Sequence, residues 1–324
     1  MAIAEHAALG ALERALSPAL RCERDVPAST LTTWRVGGPI ALVAHCASVA
    51  DVEAVGRALD PALGVLTVGR GSNLLLADAG FPGVGIVLED QLEELRLPAA
   101  GPEPSAGAEV VAGGAVALPV LARQAAAAGW RGLEFFVGIP GSVGGAVRMN
   151  AGGHGRETVE VLRRAQVVRL DGTSATWHDV GTLDLSYRHS AIGSREVVVG
   201  AAFAVEADDP GECGARVDEI VRWRRAHQPG GANAGSVFSN PPGDSAGRLI
   251  DAAGLKGARV GGASVSEKHA NFIQTEPGAT ADDVRTLIEL VRRRVAHANG
   301  TDLTPEVRIV GFDHPQASVE GTRP

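Results

Sequence analysis

Three polar side chains, far apart in the chain, offer proton and charge chemistry. Ser236 stands in Asn233-Ala234-Gly235-Ser236-Val237-Phe238-Ser239-Asn240-Pro241, after an Asn-Ala-Gly turn and before a short apolar strand. It lies outside any Gly-x-Ser-x-Gly elbow and has no His-Asp pair beside it in sequence. It therefore reads as a hydroxyl held to deliver a proton rather than as a nucleophile, although a serine in such a turn is usually only a turn residue. Arg188, in Ser186-Tyr187-Arg188-His189-Ser190, has the planar fork that clamps a carboxylate through two nitrogens, with a plain surface arginine as the commoner alternative. Glu306 opens a final strand in Thr304-Pro305-Glu306-Val307, a position where glutamates are mostly solvated.

Two glycine-rich segments offer a different chemistry. Gly69-Arg70-Gly71-Ser72-Asn73 lies between two apolar runs, Val65 to Val68 and Leu74 to Leu76. Glycines there let backbone N–H groups point at an anion, which holds a diphosphate without many cationic side chains. The segment is neither a dinucleotide fingerprint nor a P-loop, because it lacks the third glycine and the Gly-Lys-Ser/Thr ending. Gly138-Ile139-Pro140-Gly141-Ser142-Val143-Gly144-Gly145-Ala146 continues through Asn150-Ala151-Gly152-Gly153-His154-Gly155. Such glycine density costs chain entropy, so a purely structural loop rarely carries it. Two such loops suit an extended ligand with a diphosphate and a flat ring; ordinary turns are the alternative.

The elements that must position these groups follow from periodicity. Residues 4–16 form an amphipathic helix, and Ser48 with Asp51 caps another. Strands are expected at Ile40 to His45, 84–88, 108–112, 164–170, 197–205 and Val307 to Val310, and helices at 117–128 and 214–225. Thr280 and Asp283 open the strongest helix, whose face is Val284, Leu287, Ile288, Val291 and Val295 and whose end is marked by Gly300. Gly101 to Gly107 is an expected surface loop, and 314–324 an expected frayed tail.

Composition narrows the function classes. The 324 residues are 45 % hydrophobic, enough for two or three cores, and 42 glycines point to a loop-rich α/β chain. A net charge of -8 argues against a general nucleic-acid binder. Cys22, Cys46 and Cys213 make neither a disulfide framework nor a metal pattern, and with no secretory leader and no apolar span of about 18 residues expected, reduced thiols in a cytoplasm are the simplest reading.

Taken together, six segments in order resemble the UDP-N-acetylenolpyruvoylglucosamine reductases. They are Thr-Thr-Trp-Arg-Val-Gly-Gly, Gly-Arg-Gly-Ser-Asn-Leu-Leu, Gly-Ile-Pro-Gly-Ser-Val-Gly-Gly, Tyr-Arg-His-Ser, Asn-Ala-Gly-Ser-Val-Phe-Ser-Asn-Pro and Pro-Glu-Val-Arg, spread from Leu31 to Gly311. The resemblance implies an α+β protein. An FAD-binding domain of the vanillyl-alcohol-oxidase (PCMH) type would occupy 31–205 in two lobes, about 31–90 and 91–205. Residues 1–30 would be a lead-in, and 206–313 a smaller α/β substrate-binding domain whose last strand returns Glu306 to the flavin.

The implied activity is reduction of UDP-N-acetylglucosamine-enolpyruvate to UDP-N-acetylmuramate, with non-covalent FAD and NADPH as hydride donor. No obligatory protein partner, nucleic acid or membrane is implied. Ser236 would donate the proton, with Arg188 and Glu306 assisting. Gly69, Arg70, Gly71, Ser72 and Asn73 would carry the FAD, together with Gly138, Ile139, Pro140, Gly141, Ser142, Gly144 and Gly145. Asn240, His227, His269 and Tyr187 would lie near the nucleotide-sugar. The strand at 197–205 leads almost directly into a helix, so the chain resembles the shorter type that lacks a tyrosine-bearing insertion, and His269 is a candidate shield. A different flavin oxidase of the same fold and a non-catalytic UDP-sugar-binding module are the rival readings.

Overall fold

A computed structural model of the chain describes residues 3–99 and 107–312. The loop expected at Gly101 to Gly107, apart from Gly107 itself, and the tail expected at 314–324 lie outside the described residues. Seven helices are described: α1 (Ile3–Ala15), α2 (Val49–Ala58), α3 (Leu118–Ala127), α4 (Val143–Met149), α5 (Pro210–His227), α6 (Ala246–Ala252) and α7 (Ala281–Asn299).

The first lobe is a four-stranded sheet in the order Arg21–Pro27, Pro39–Cys46, Phe81–Leu88, Val65–Val68. The first pair is antiparallel and the others are parallel. The expected Ser48–Asp51 capping box opens α2, and α1 buries Leu9 and Leu12 against the same core as Val52, Val55, Val84 and Ile86. Residues before 30 thus complete this lobe rather than preceding it: strand Arg21–Pro27 pairs along its length with Pro39–Cys46, from Arg21 opposite His45 to Pro27 opposite Pro39. Its sequence, Arg-Cys-Glu-Arg-Asp-Val-Pro, hides this because it is a mostly exposed edge strand.

The second lobe is an antiparallel sheet in the order Thr176–Asp179, Leu162–Arg169, Glu196–Ala204, Glu109–Gly113, Leu95–Arg96. Helices α3 and α4 lie over it. Helix α5 packs here too: Cys213 and Val217 join the core of Leu121, Phe136 and Phe203. Glu206–Ala207 meanwhile pairs with Trp130–Arg131. The boundary expected at 205/206 is therefore displaced to the end of α5. The polar run at 207–213 has the composition of a linker, but Asp209 is the N-cap of α5, accepting from the Glu212 N–H at 3.0 Å.

The third unit is an antiparallel sheet in the order Ala232–Ser236, Phe272–Thr275, Ala263–Val265, Arg259–Val260, covered by α6 and α7. The expected stripe of α7 is buried, its Thr280–Asp283 capping box is formed, and Gly300 closes it at φ 70°. First-lobe residues enter this core. Trp34 donates its indole N–H to the Ile273 carbonyl at 2.8 Å, and the Asp78 carboxylate accepts from the Ala281 and Asp282 N–H groups at 3.0 Å each. Strand Arg308–Val310 finally returns to pair in parallel with Leu74–Leu76.

Candidate active site

The chain's return places Glu306 beside Ser236. The Glu306 N–H donates to the Val237 carbonyl at 2.8 Å, and the Asn73 side-chain amide donates to the Glu306 carbonyl at 3.2 Å. Ser236 ends its strand after a register shift between Asn233 and Ser236. The expected Asn-Ala-Gly turn is thus a bulge inside the strand: Gly235 sits at φ 75° and donates its N–H to Asn233 Oδ1 at 3.0 Å. The Ser236 hydroxyl, half-buried, makes no hydrogen bond to any described residue and faces a cleft of about 560 Å³.

Arg188 enters the same cleft from the second lobe. Its backbone is left-handed, φ 56°, which a non-glycine residue adopts at a cost that surrounding contacts must offset. Its Nε lies 2.6 Å from Glu306 Oε1, its Nη2 donates to the Gly152 carbonyl at 3.4 Å, and its Cζ lies 4.9 Å from the centre of the Tyr187 ring. Burial pushes the Glu306 carboxyl above the usual carboxylate range, and the Arg188 charge only partly opposes this.

The two glycine-rich loops meet along one wall. Ser72 Oγ donates to the Pro140 carbonyl at 2.8 Å, tying them together. Gly71 has no room for a side chain, since a Cβ there would lie 1.9 Å from the Leu31 carbonyl oxygen. Gly69 to Asn73, Gly138 to Ser142 and Gly145 line the main cleft, and Gly144 lines an adjoining cleft of about 380 Å³. Both clefts share Thr67, Val68, Gly69, Arg70, Ser142, Gly145, Arg148 and Arg308, so together they form one long groove.

Three residues of this wall escaped the sequence reading. The Thr67 hydroxyl is buried without a partner. Arg308 has no ion-pair or side-chain hydrogen-bond partner among the described residues, and burial lowers its pKa. Among the described residues the Arg148 side chain hydrogen-bonds the carbonyls of Ile192 and Gly193; burial lowers its pKa first and Arg308 second, with Glu196 opposing them. These two half-buried cations repel each other, and Arg308 has no ion-pair partner among the described residues, so the pair suits an anion; Thr67 leaves a hydroxyl to be satisfied. A flavin dinucleotide, with its diphosphate and hydrogen-bonding ring, fits this cradle. Spacing gave only a neighbourhood: Arg308 is two residues from Glu306 and Arg148 three from Gly145 on α4, but neither spacing shows which side chain is left without a partner.

Of the other expected residues, Asn240 lines the cleft, and its side-chain oxygen accepts from the Ala246 N–H at 3.1 Å, at the start of α6. Tyr187 sits beside the cleft without lining it, its hydroxyl accepting from the Asn240 N–H at 3.4 Å. His269 does not face the cleft: its ring packs edge-on behind Phe272, 4.7 Å between centroids. His227 is exposed and reaches the cleft only by stacking on Trp223.

Comparison with known proteins decides what this arrangement belongs to. Residues 40–176 match the family model described as an FAD binding domain, and residues 227–310 match that of the UDP-N-acetylenolpyruvoylglucosamine reductase C-terminal domain. The reductase of that name from Synechococcus sp. (strain WH7803) is 43% identical over 90% of this chain and 94% of its own length. The chain belongs to the UDP-N-acetylenolpyruvoylglucosamine reductase family. A second reductase of the family, from Acidiphilium cryptum (strain JF-5), is 42% identical over 89% of this chain and 91% of its own. The crystal structure of the Thermus caldophilus reductase superposes with a TM-score of 0.77 at 34% identity, over 90% of this chain and 99% of the other. The FAD-binding match reaches into both lobes that line the long groove, and the reductase C-terminal match begins where α5 ends, at the boundary the packing shows. As expected of the shorter type of reductase, α5 begins at Pro210, directly after the strand ending at Ala207. Among the described residues no helix is long and apolar enough to cross a membrane.

Proposed function

We propose that this cleft carries out the family's reaction, the NADPH-dependent reduction of UDP-N-acetylglucosamine-enolpyruvate to UDP-N-acetylmuramate, with Ser236, Arg188 and Glu306 at the reacting carbons. The observation that carries the assignment is the convergence of these three side chains, from two domains, beside a groove that holds the half-buried Arg308, which has no ion-pair partner among the described residues. FAD, which Gly69 to Asn73 and Gly138 to Gly145 would hold with Arg148 and Arg308, would supply hydride chemistry between NADPH and the enol ether.

The protein's own groups manage the charge and the proton. Negative charge develops on the carbon next to the methylene and spreads into its carboxylate. Arg188, a fixed cation, stabilises that charge where it appears. Its Nε lies 2.6 Å from Glu306 Oε1, so the substrate carboxylate would compete with Glu306 for the guanidinium. Glu306 serves best as the neutral acid, because a carboxylate there would repel the developing dianion, and its raised pKa favours that form. The Ser236 hydroxyl, with no competing acceptor among the described residues, then protonates the carbon. An alcohol is a weak acid, but an enediolate is basic enough to take its proton when geometry is fixed, and the Gly235 bulge fixes it.

The small-molecule partner is thus a UDP-sugar, and a cytoplasmic site of action fits the UDP-linked substrate. The test is anaerobic: purified protein is mixed first with NADPH, then with the enolpyruvyl sugar. The flavin band near about 450 nm should bleach and return with stoichiometric UDP-N-acetylmuramate. Return only upon admitting oxygen would mark an oxidase, and no bleaching a non-catalytic module.

A further inference from the structure

The last turns of α5 present Trp223 and Arg224 to the main cleft side by side. Trp223 is one of few large apolar side chains left exposed, at 44%. Its ring is held on two sides. His227, one turn along the helix, stacks on the indole with centroids 4.6 Å apart and planes 21° apart. His154 stands nearly perpendicular to it, at 5.0 Å and 83°. His154 is itself seated on Gly138, where a Cβ would lie 2.8 Å from the imidazole. The bare backbone at Gly138 thus serves the ring assembly as well as the groove.

Arg224 supplies the charge. Its Nε donates to Gln228 Oε1 at 2.8 Å, it has no acidic partner among the described residues, and burial lowers its pKa. Trp223 and His154 also border a second cleft, of about 890 Å³, in the second lobe. There Arg131, Arg156 and Arg216 are paired with Glu206, Glu160 and Glu134, whereas Arg163 has no ion-pair partner among the described residues; Arg224 lines the main cleft and not this one.

We propose that Trp223 is the stacking platform for the nucleobase of a nucleoside diphosphate entering this cleft, with Arg224 set against its phosphates. The proposal rests on the reductase reading, in which the UDP-sugar and NADPH both bring a base joined to a diphosphate. An exposed indole beside an uncommitted guanidinium has the chemistry of that pair: an aromatic face for a base and a cation for the phosphates attached to it. Because His227 and His154 already restrain the ring, little rotamer freedom is lost on binding. A platform on a helix also gives an aromatic surface to a chain that lacks the tyrosine-bearing insertion.

Calorimetric titration of the holoenzyme with UDP and, separately, with NADP+ tests this. Trp223→Ala should raise the Kd of at least one nucleotide about tenfold, within the range for losing a base–aromatic stack. Trp223→Phe should stay within about threefold of wild type. Trp177→Ala, an exposed tryptophan of the second-lobe sheet, serves as the control and should change neither. A rise for UDP alone assigns the platform to the substrate, and a rise for NADP+ alone assigns it to the reductant; either supports the proposal. Unchanged affinity for both nucleotides in Trp223→Ala overturns it. So does a loss in Trp223→Phe equal to that in Trp223→Ala, or a shifted flavin spectrum in both, since these mark a structural role. A wild-type holoenzyme that binds neither nucleotide overturns the reductase reading itself, and this proposal with it.

Discussion

Arg188 Nε and Glu306 Oε1 lie 2.6 Å apart, although one belongs to the second flavin lobe and the other lies just before the strand Arg308–Val310, far along the chain. This contact joins the two halves of the site, and it sets a cation and a buried acid against the same incoming carboxylate.

Arg188→Lys should not behave as a conservative change. Lysine keeps the charge but loses the planar fork that reaches Glu306, Gly152 and a substrate carboxylate together. Turnover with the enolpyruvyl sugar should fall at least about tenfold, equivalent to about 1.4 kcal/mol in the barrier. Steady-state kinetics checks this, and wild-type turnover would return Arg188 to a structural role.

Ser236→Ala should divide the reaction. Reduction of the flavin by NADPH does not involve the substrate carbon, so it should proceed at close to the normal rate. Reoxidation by substrate should slow roughly 10²–10⁴-fold, the range for losing a positioned general acid. The fold should persist, because the Ser236 hydroxyl makes no hydrogen bond to any described residue, and its loss should cost within about 1 kcal/mol. Stopped-flow measurement of each half separates this from a defect in flavin placement, which would slow both.

Glu306 should give the protein a pH signature of definite sign. Its carboxyl is raised by burial, so the folded chain holds this proton more tightly than the unfolded chain does. The stabilisation is complete below the ordinary carboxylate range and is lost as pH rises through the raised value. Glu306→Gln, neutral at every pH, should remove that component from a plot of Tm against pH. The substrate-reoxidation rate of wild type should fall on the same limb as the neutral acid is lost. A Glu306→Gln variant with an unchanged Tm–pH curve would show that the carboxyl titrates normally.

Arg308→Met should separate cofactor affinity from stability. Arg308 has no ion-pair partner among the described residues and repels Arg148, so its replacement by an apolar side chain of similar length should not lower the Tm of the apoprotein. FAD affinity should weaken at least about tenfold, as expected for removing a charge-assisted contact to a diphosphate. Fluorescence titration of apoprotein with FAD reads the effect, and unchanged affinity would place the diphosphate elsewhere.

Local rules made much of the architecture legible. Capping pairs located α2 and α7 because Ser48–Asp51 and Thr280–Asp283 satisfy backbone N–H groups within one turn. The buried stripe of α7 followed from helical spacing alone. The glycine-rich loops also announced themselves, because close backbone approach excludes a Cβ wherever it occurs. Motifs shared with the reductases pointed to Ser236, Arg188 and Glu306 without any knowledge of the contacts between them.

What only the tertiary structure decided are the relationships across domains. Strand Arg21–Pro27 was invisible because an exposed edge strand keeps no apolar alternation. Helix α5 went to the wrong unit because a polar run before a helix looks the same whether it is a linker or an N-cap; the packing of Cys213 and Val217 decided it. Arg148, Arg308 and Thr67 were missed because a side chain left unpaired and buried is defined by what is absent around it, and no local pattern encodes that absence. His269 was expected to shield the substrate, but the fold turned it behind Phe272. A sequence specifies which groups a chain owns; burial and direction, which set their charge and reach, arise only when distant segments pack.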